Sequence, residues 1–543
     1  MARDEARETP VGGPLTNRSL RNVYECASND PGIPQVWGYA DQLSYQSGDT
    51  LRLHLNTSLP ELTIDIQRDG GTLVAVHAVT VPGHFHETPS DCSVKGCDWP
   101  VGYDVAIPED WPSGGYRIRL SAGSGTKAVS NDLWFALRAG PDRPKGDILQ
   151  VAATSTWLAY NDWGGSNHYD GITGPGGDQF APEVSTQRPW SRGFCWLPTG
   201  APRTTHRGIP ALNAVPRYPH LDWAYANGFS KKYGSAGWAS YDRHFYGWAE
   251  RQGFSVDMAT QTDLHYCPDI LDGYACVVVV GHDEYWSWAM RDAIDAYVDA
   301  GGHLARFGGN FLWQVRLEDE GRRQVCYKYR ARDEDPIRET QDSHLLTSAW
   351  EDPLVGRPGA TTVGLNGLRG VYASFGNCVP RGPGGFVVYR PDHWVFEGAD
   401  VYYGDVLGGA SHVFGYEVDG LDYTMRDGLV FPTGEDGAPD SVEVQAMSLA
   451  TCVEGDHGHE GSVFFIGELD GAFAAEILYG GPSPEAVDRT RRGSGMIATM
   501  TKGKGEVFNA GTCEWVNGLI ERDHQIETVT RNVLNRALSA DSL

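Results

Sequence analysis

Residues Tyr274–Gln314 read YACVVVVGHDEYWSWAMRDAIDAYVDAGGHLARFGGNFLWQ, and the fold turns on this stretch. Val277 to Val280 are four consecutive β-branched residues, the composition of a strand buried on both faces. At Gly281 the chain leaves the strand, because the next residues, His282, Asp283, Glu284 and Tyr285, are ones a buried strand does not tolerate. From Ser287 the period changes: Met290, Ile294, Tyr297 and Val298 fall on one side of a helix, and Gly301-Gly302 stops it. His303 to Phe307 then reads as a second strand ending in Gly308, Gly309 and Asn310. A strand, a helix and a strand of these lengths predict a right-handed parallel crossover. Both polar tips, His282-Asp283-Glu284 and Asn310, therefore belong at the carboxyl edge of one sheet, where open α/β folds place their sites.

Working outward, Ile148 to Ala153 is an apolar strand running into TSTWLAYNDWGGSNHYDG, which puts Tyr160 at a strand end. HFYGWAERQG reads as a helix with a glycine stop, FSVDMAT as a strand and TDLH as its polar end. Between them, about 164–241 is rich in Gly, Pro and aromatics and too long for an ordinary connection, so it reads as a packed lid or substrate-facing insertion. Beyond Gln314, LEDEGRRQVCYKYR suggests a hairpin, GKGEVFNAG a strand, CEWVNGLI a loop and HQIETVTRNVLNRAL a packed terminal helix. Upstream, residues 31–140 alternate in short strands without helical periods, a β-sandwich that is immunoglobulin-like by strand count. AGPDRPKGD, 139–147, marks the boundary, residues 1–30 read as an arm, and 148–543 form an open, mostly parallel α/β domain.

Composition narrows the function. With 44 Lys and Arg against 71 Asp and Glu, the net charge is −27, and no basic tract is available to neutralise phosphates, which excludes a general nucleic-acid binder. No apolar run is long enough to span a bilayer and the first residues lack a secretion signal's apolar core, so the cytoplasm is the default location. Of the ten cysteines, Cys92 and Cys97 pair only if the protein is exported; most of the rest read as packed thiols. Neither Cys-x-x-Cys nor His-Glu-x-x-His occurs.

If the first and central strands are neighbours, Tyr160, Glu284 and another tyrosine converge. An oxygen-only set with phenolate selects a hard trivalent ion such as Fe(III). The plainer reading of a tyrosine at a strand end is packing with a hydrogen-bonded hydroxyl.

TSTWLAYNDWGGSNHYDG, TDLH, VVVVGHDEYWSWAMRDAIDAYVDAGGHLARFGGN, GYEVDG and VFNAGTCEW followed by VTRNVLNRAL, in this order over about 148–540, resemble the N,N-dimethylformamidase large (beta) subunit family. The resemblance implies a fold related to class I glutamine amidotransferases, without a cysteine nucleophile, and a mononuclear Fe(III) held by two tyrosines and a glutamate that hydrolyses a small formamide. Carried over, the ligands are Tyr160, Glu284 and, in NAVPRYPHLDW, Tyr218, with Trp190 in QRPW the competing position. The inner pocket is implied at His282, Asn310, Lys328 and Glu417: Asn310 donating to the oxyanion, His282 orienting a ligand or water, and Lys328 with Glu417 binding substrate or relaying a proton. The chain shows no further lectin-like domain and no fused small helical partner, leaving a separate small subunit or a homo-oligomer as the expected assembly. Three functions stay open: a metal-dependent amidohydrolase, another metal-assisted hydrolase or lyase, and a non-catalytic binding module.

Overall fold

The computed structural model describes residues 24–140, 144–172, 180–204, 219–373, 384–452 and 468–539. Its spine is a nine-stranded sheet in the order Val256–Thr260, Ile148–Ala152, Cys276–His282, His303–Gly309, Gly505–Asn509, Gly493–Lys502, Val442–Ala450, Phe386–Val388, Val406–Leu407. The first five strands are mutually parallel and the rest antiparallel. Val277 to Val280 are fully buried, alternating between the cores on the two faces. At about 1.5–3 kcal/mol for each buried side chain of this size, that run alone is a large driving force for placing this strand centrally.

The crossover helix spans Trp288–Ala300 and buries Met290, Ile294 and Val298. Ser287 caps it, its hydroxyl accepting from the Met290 backbone N–H at 3.2 Å, and Gly301 ends it. The returning strand pairs in register with the central one, Val277 opposite Leu304 and His282 opposite Gly309. Both polar tips thus emerge at one edge.

Three segments differ from the reading of the sequence. TDLH lies within a helix, Gln261–Tyr266, because Thr260 and Asp263 form a reciprocal capping box that starts one directly after the strand. The residues after Ala152 also turn helical, so Tyr160 is delivered by the end of the Thr154–Tyr160 helix and not by a strand end. CEWVNGLI holds a third, Trp515–Glu521. The terminal helix, His524–Leu538, is capped by Asp523, whose carboxylate accepts from the N–H groups of Gln525 and Ile526.

Residues 36–137 build a three-stranded and a five-stranded sheet that share one core, with Leu51, Leu53 and Leu55 facing Ile64, Ile66, Ile118, Leu120 and Phe135. Polar anchors fix this region to the larger one: Arg243 donates twice to Asp69, at 3.0 and 2.9 Å, and Arg68 donates to the Tyr246 hydroxyl at 2.7 Å. Among the described residues no helix is long and apolar enough to cross a membrane.

Candidate metal and catalytic site

The central strand ends in a sharp exit. Gly281 sits at φ +74°, and a Cβ there would lie 2.4 Å from the Tyr241 side chain, so only glycine allows the close approach. Just beyond it, Glu284 is buried, with both carboxylate oxygens occupied. Its Oε1 accepts from Trp313 Nε1 at 2.7 Å and from the Tyr169 hydroxyl at 2.8 Å. Its Oε2 accepts from Tyr160 at 2.9 Å and from Tyr169 at 2.7 Å. The two phenol rings lie 4.3 Å apart, and the Tyr285 hydroxyl donates to that of Tyr169 at 2.8 Å.

The loop joining the two phenols is organised by Asn167. Its amide donates to the Tyr160 carbonyl at 3.0 Å, and its side-chain oxygen accepts from the backbone N–H groups of Tyr169 and Asp170 at 2.8 and 2.6 Å. An asparagine bonding to the backbone two and three residues on is a local turn device, which brings the second phenol back toward the first. Burial, then the Glu284 charge, pushes both hydroxyls well above the ordinary phenol range, which favours their protonated form.

On the other side of Glu284 lies a proton-bearing cluster. His282 Nε2 is 2.7 Å from Glu417 Oε2 and 3.3 Å from Glu284 Oε2, while Nδ1 is 2.8 Å from the Ser235 carbonyl and 2.9 Å from the Tyr416 hydroxyl. Burial opposes a charge on His282, but Glu417 and the ring's hydrogen bonds to both carboxylates outweigh it and push the ring up to about 10. Asn310 donates to Glu417 Oε2 at 2.9 Å and leaves its own side-chain oxygen buried without a partner among the described residues. His282, Glu417 and Cys513 also offer ligand atoms within 4.8 Å of one another, a grouping able to hold one metal ion.

Lys328 does not pair with Glu417. Its ammonium is buried, has no hydrogen-bond partner among the described residues and lies 3.3 Å from the centre of the Tyr169 ring, a cation–π contact. Burial lowers its pKa to about 8, against the pull of Glu284. Both Lys328 (φ +51°) and Asn310 (φ +64°) occupy the left-handed backbone region, a strain that surrounding structure must hold in place. For Asn310 the support is visible. The next N–H, of Phe311, donates to Asp419 at 2.9 Å, and Asp419 is bound with Asp283 to the fully buried guanidinium of Arg306.

Of the residues singled out from sequence, Tyr160, His282, Glu284, Asn310, Lys328 and Glu417 converge in this one buried cluster. Tyr218 lies outside the described residues. The phenol that shares Glu284 with Tyr160 is Tyr169, nine residues on in the same sequence block; the Asn167 turn was its signal. Tyr416, Ser235 and Cys513 also join the cluster; Tyr416 adjoins Glu417 in GYEVDG and Cys513 lies in VFNAGTCEW, but neither block marks them by spacing, and Ser235 contributes only a backbone carbonyl.

A family model described as N,N-dimethylformamidase beta subunit-like, C-terminal, matches residues 66–527. The chain belongs to the N,N-dimethylformamidase beta-subunit family. Among curated relatives, the N,N-dimethylformamidase beta subunits of Paracoccus aminophilus and an Alcaligenes species are 24% and 23% identical over 491 residues. Each match covers 83% of this chain and 55% of the relative, so the chain spans about half the length of these family members.

Proposed function

We propose that this chain is a metal-dependent hydrolase that cleaves the C–N bond of a small amide, an N-substituted formamide being the substrate class the relatives' name suggests. A single Fe(III) would be held by Tyr160, Tyr169 and Glu284. The observation that carries this reading is the convergence of two phenols on one buried carboxylate beside a histidine–glutamate pair. The donor set fits the ion: two phenolates and a carboxylate supply three negative charges and only hard oxygen atoms to a trivalent hard cation, which would take the place of the two phenolic protons. The His282–Glu417–Cys513 grouping offers mixed nitrogen, oxygen and sulfur donors suited to a softer divalent ion, and burial holds the Cys513 thiol well above its ordinary range. The oxygen set is therefore favoured.

A ferric ion there supplies Lewis acidity toward an amide carbonyl and toward water. The chain's own residues supply the rest. Trp313 Nε1 fixes the orientation of Glu284. Asn310, whose amide nitrogen donates to Glu417 and lies 3.3 Å from His282 Nε2, would turn its second N–H toward the oxygen that gains charge during attack. An amine anion is a prohibitive leaving group, so nitrogen must be protonated as the C–N bond breaks; the His282–Glu417 pair, 2.7 Å apart, holds that proton between two acceptors. Ser235 and Tyr416 fix the far side of the ring. Lys328, unpaired and facing Tyr169, is placed to stabilise negative charge on that phenol.

On the same footing we propose the architecture as an immunoglobulin-like sandwich preceding a class I glutamine amidotransferase-like domain, and, from the relatives' designation as beta subunits, a separate small subunit as partner. The test is incubation of the iron-loaded protein with N-substituted formamides and other small amides, reading amine and carboxylate together. Equimolar release of both that is lost in Glu284→Gln supports the reading; no amide turned over by iron-loaded protein overturns it.

A further inference from the structure

Near the end of the aromatic-rich stretch, residues 229–235 read FSKKYGS and touch both sides of the buried cluster. On the phenol side, the Ser230 hydroxyl donates to Asp162 Oδ1 at 2.8 Å and the Lys231 ammonium to Asp170 Oδ1 at 2.9 Å, while Lys232 Nζ lies 3.2 Å from Asp170 Oδ2. Asp162 comes two residues after Tyr160 and Asp170 directly follows Tyr169, so the two carboxylates mark the ends of the loop between the phenols. On the proton side, the Ser235 carbonyl lies 2.8 Å from His282 Nδ1. The turn in between closes on itself: Lys232 N donates to the Ser230 hydroxyl at 3.0 Å, Tyr233 N to the Ser230 carbonyl at 3.2 Å and Ser235 N to the Lys232 carbonyl at 2.9 Å. One short turn thus braces the phenol loop against the histidine.

Lys232 differs from the other charged groups here in two ways. Its ammonium lies 4.9 Å from the centre of the Tyr169 ring and 5.8 Å from that of Tyr160, within cation–π reach of both. Its side chain is 19% exposed, whereas His282, Glu284, Lys328 and Glu417 are each no more than 5% exposed. Lys232 therefore stands between the phenols and water.

We propose that Lys232 is a positioning residue of this site: its ion pair with Asp170 keeps the Tyr169 loop closed from the solvent side, and its charge acts on both phenol rings. Only the second half rests on the ferric reading above; the closure holds with or without metal. A lysine this near the surface would otherwise extend its ammonium into water, and the Asp170 pair turns it inward. A cation beside a phenolate lowers the energy of the electrons that the phenolate lends to a metal, which leaves the metal the stronger Lewis acid.

Hydrogen exchange of the metal-free full chain reads the first half. Lys232→Met keeps the stem and removes the charge, so the amides of residues 161–170 should exchange roughly three- to tenfold faster, the effect of losing a partly buried ion pair. Lys232→Arg should return them to the wild-type rate. The iron-loaded protein reads the second half. Its tyrosinate-to-iron band should move to lower energy in Lys232→Met, return in Lys232→Arg and stay in place in Lys231→Met, which loosens Asp170 but leaves the Lys232 charge. Wild-type exchange rates in Lys232→Met would overturn the proposal, as would a band that stays put in Lys232→Met or moves equally in Lys231→Met. A wild-type chain that takes up no iron would sink the ferric reading alone, and the exchange rates would then decide the role of Lys232.

Discussion

Arg306→Met removes the cation that two buried carboxylates, Asp283 and Asp419, share beneath the site. Its guanidinium donates from Nε and Nη2 to Asp283 and from Nη1 to Asp419 and to Asn509, and Arg306, Asp283 and Asp419 have no solvent exposure. Methionine fills much of the volume, so the dominant loss is electrostatic: two carboxylates remain buried without a counter-charge. Removing one partner of a buried ion pair costs about 3–5 kcal/mol. That is a large fraction of the ~5–15 kcal/mol that typically holds a domain together. The triple variant Arg306→Met, Asp283→Asn, Asp419→Asn removes the charges together and recovers most of the loss, because replacing a whole buried network is often nearly neutral. Unfolding of a chain this size need not be two-state, so the assay is native-state hydrogen exchange of the Cys276–His282 amides alongside the thermal midpoint. Protection in that strand should fall in the single variant and return in the triple. A single-variant loss under about 1 kcal/mol, or a triple variant no better than the single, refutes the reasoning about paired buried charge.

Glu417→Gln should retain bound iron while kcat falls by roughly 10²–10⁴, the usual contribution of a positioned proton donor, measured by steady-state turnover of the amide substrate. Gly281→Ala combines left-handed backbone with a contact of 2.4 Å on Tyr241 and should lower stability by roughly 2–5 kcal/mol, read as a fall in the thermal midpoint. Burial raises the Glu351 carboxyl to about 8, and its Oε2 is buried without a partner among the described residues. The unfolded carboxyl ionises from its ordinary value of 4.5 upward while the folded one keeps its proton, so wild-type stability falls as pH rises from there to about 8, by at most about 1.4 kcal/mol per pH unit. Glu351→Gln should flatten that slope, so that its thermal midpoint exceeds wild type increasingly between pH 5 and 8.

The crossover was legible because its signals are local and redundant: a valine run, a helical period and a double glycine each mark the same boundaries. His282, Glu284 and Asn310 followed from it, since a parallel crossover leaves both strand tips on one edge. The helix at Thr154–Tyr160 was harder to see because its residues are buried on every side, which erases the amphipathic period. Gln261–Tyr266 was signalled by Thr260 and Asp263, but six residues give too short a window for periodicity. Tyr169 carries no spacing signal toward Glu284; a side-chain turn at Asn167 brings it there within one loop, while Tyr218 lies outside the described residues. The pairing of Glu417 with His282, in place of Lys328, is set by the packing of the Glu417–Gly420 strand and carries no sequence spacing at all.

The central claim, a ferric ion shared by Tyr160, Tyr169 and Glu284, is tested most directly by the visible charge-transfer band of iron-loaded protein, measured with iron stoichiometry in Tyr160→Phe, Tyr169→Phe and Cys513→Ala. The account predicts a coloured protein with one iron per chain, a band that weakens and shifts in each phenylalanine variant, and an unchanged spectrum in Cys513→Ala. An unaltered band with full iron in Tyr169→Phe, or loss of the metal in Cys513→Ala alone, would contradict it.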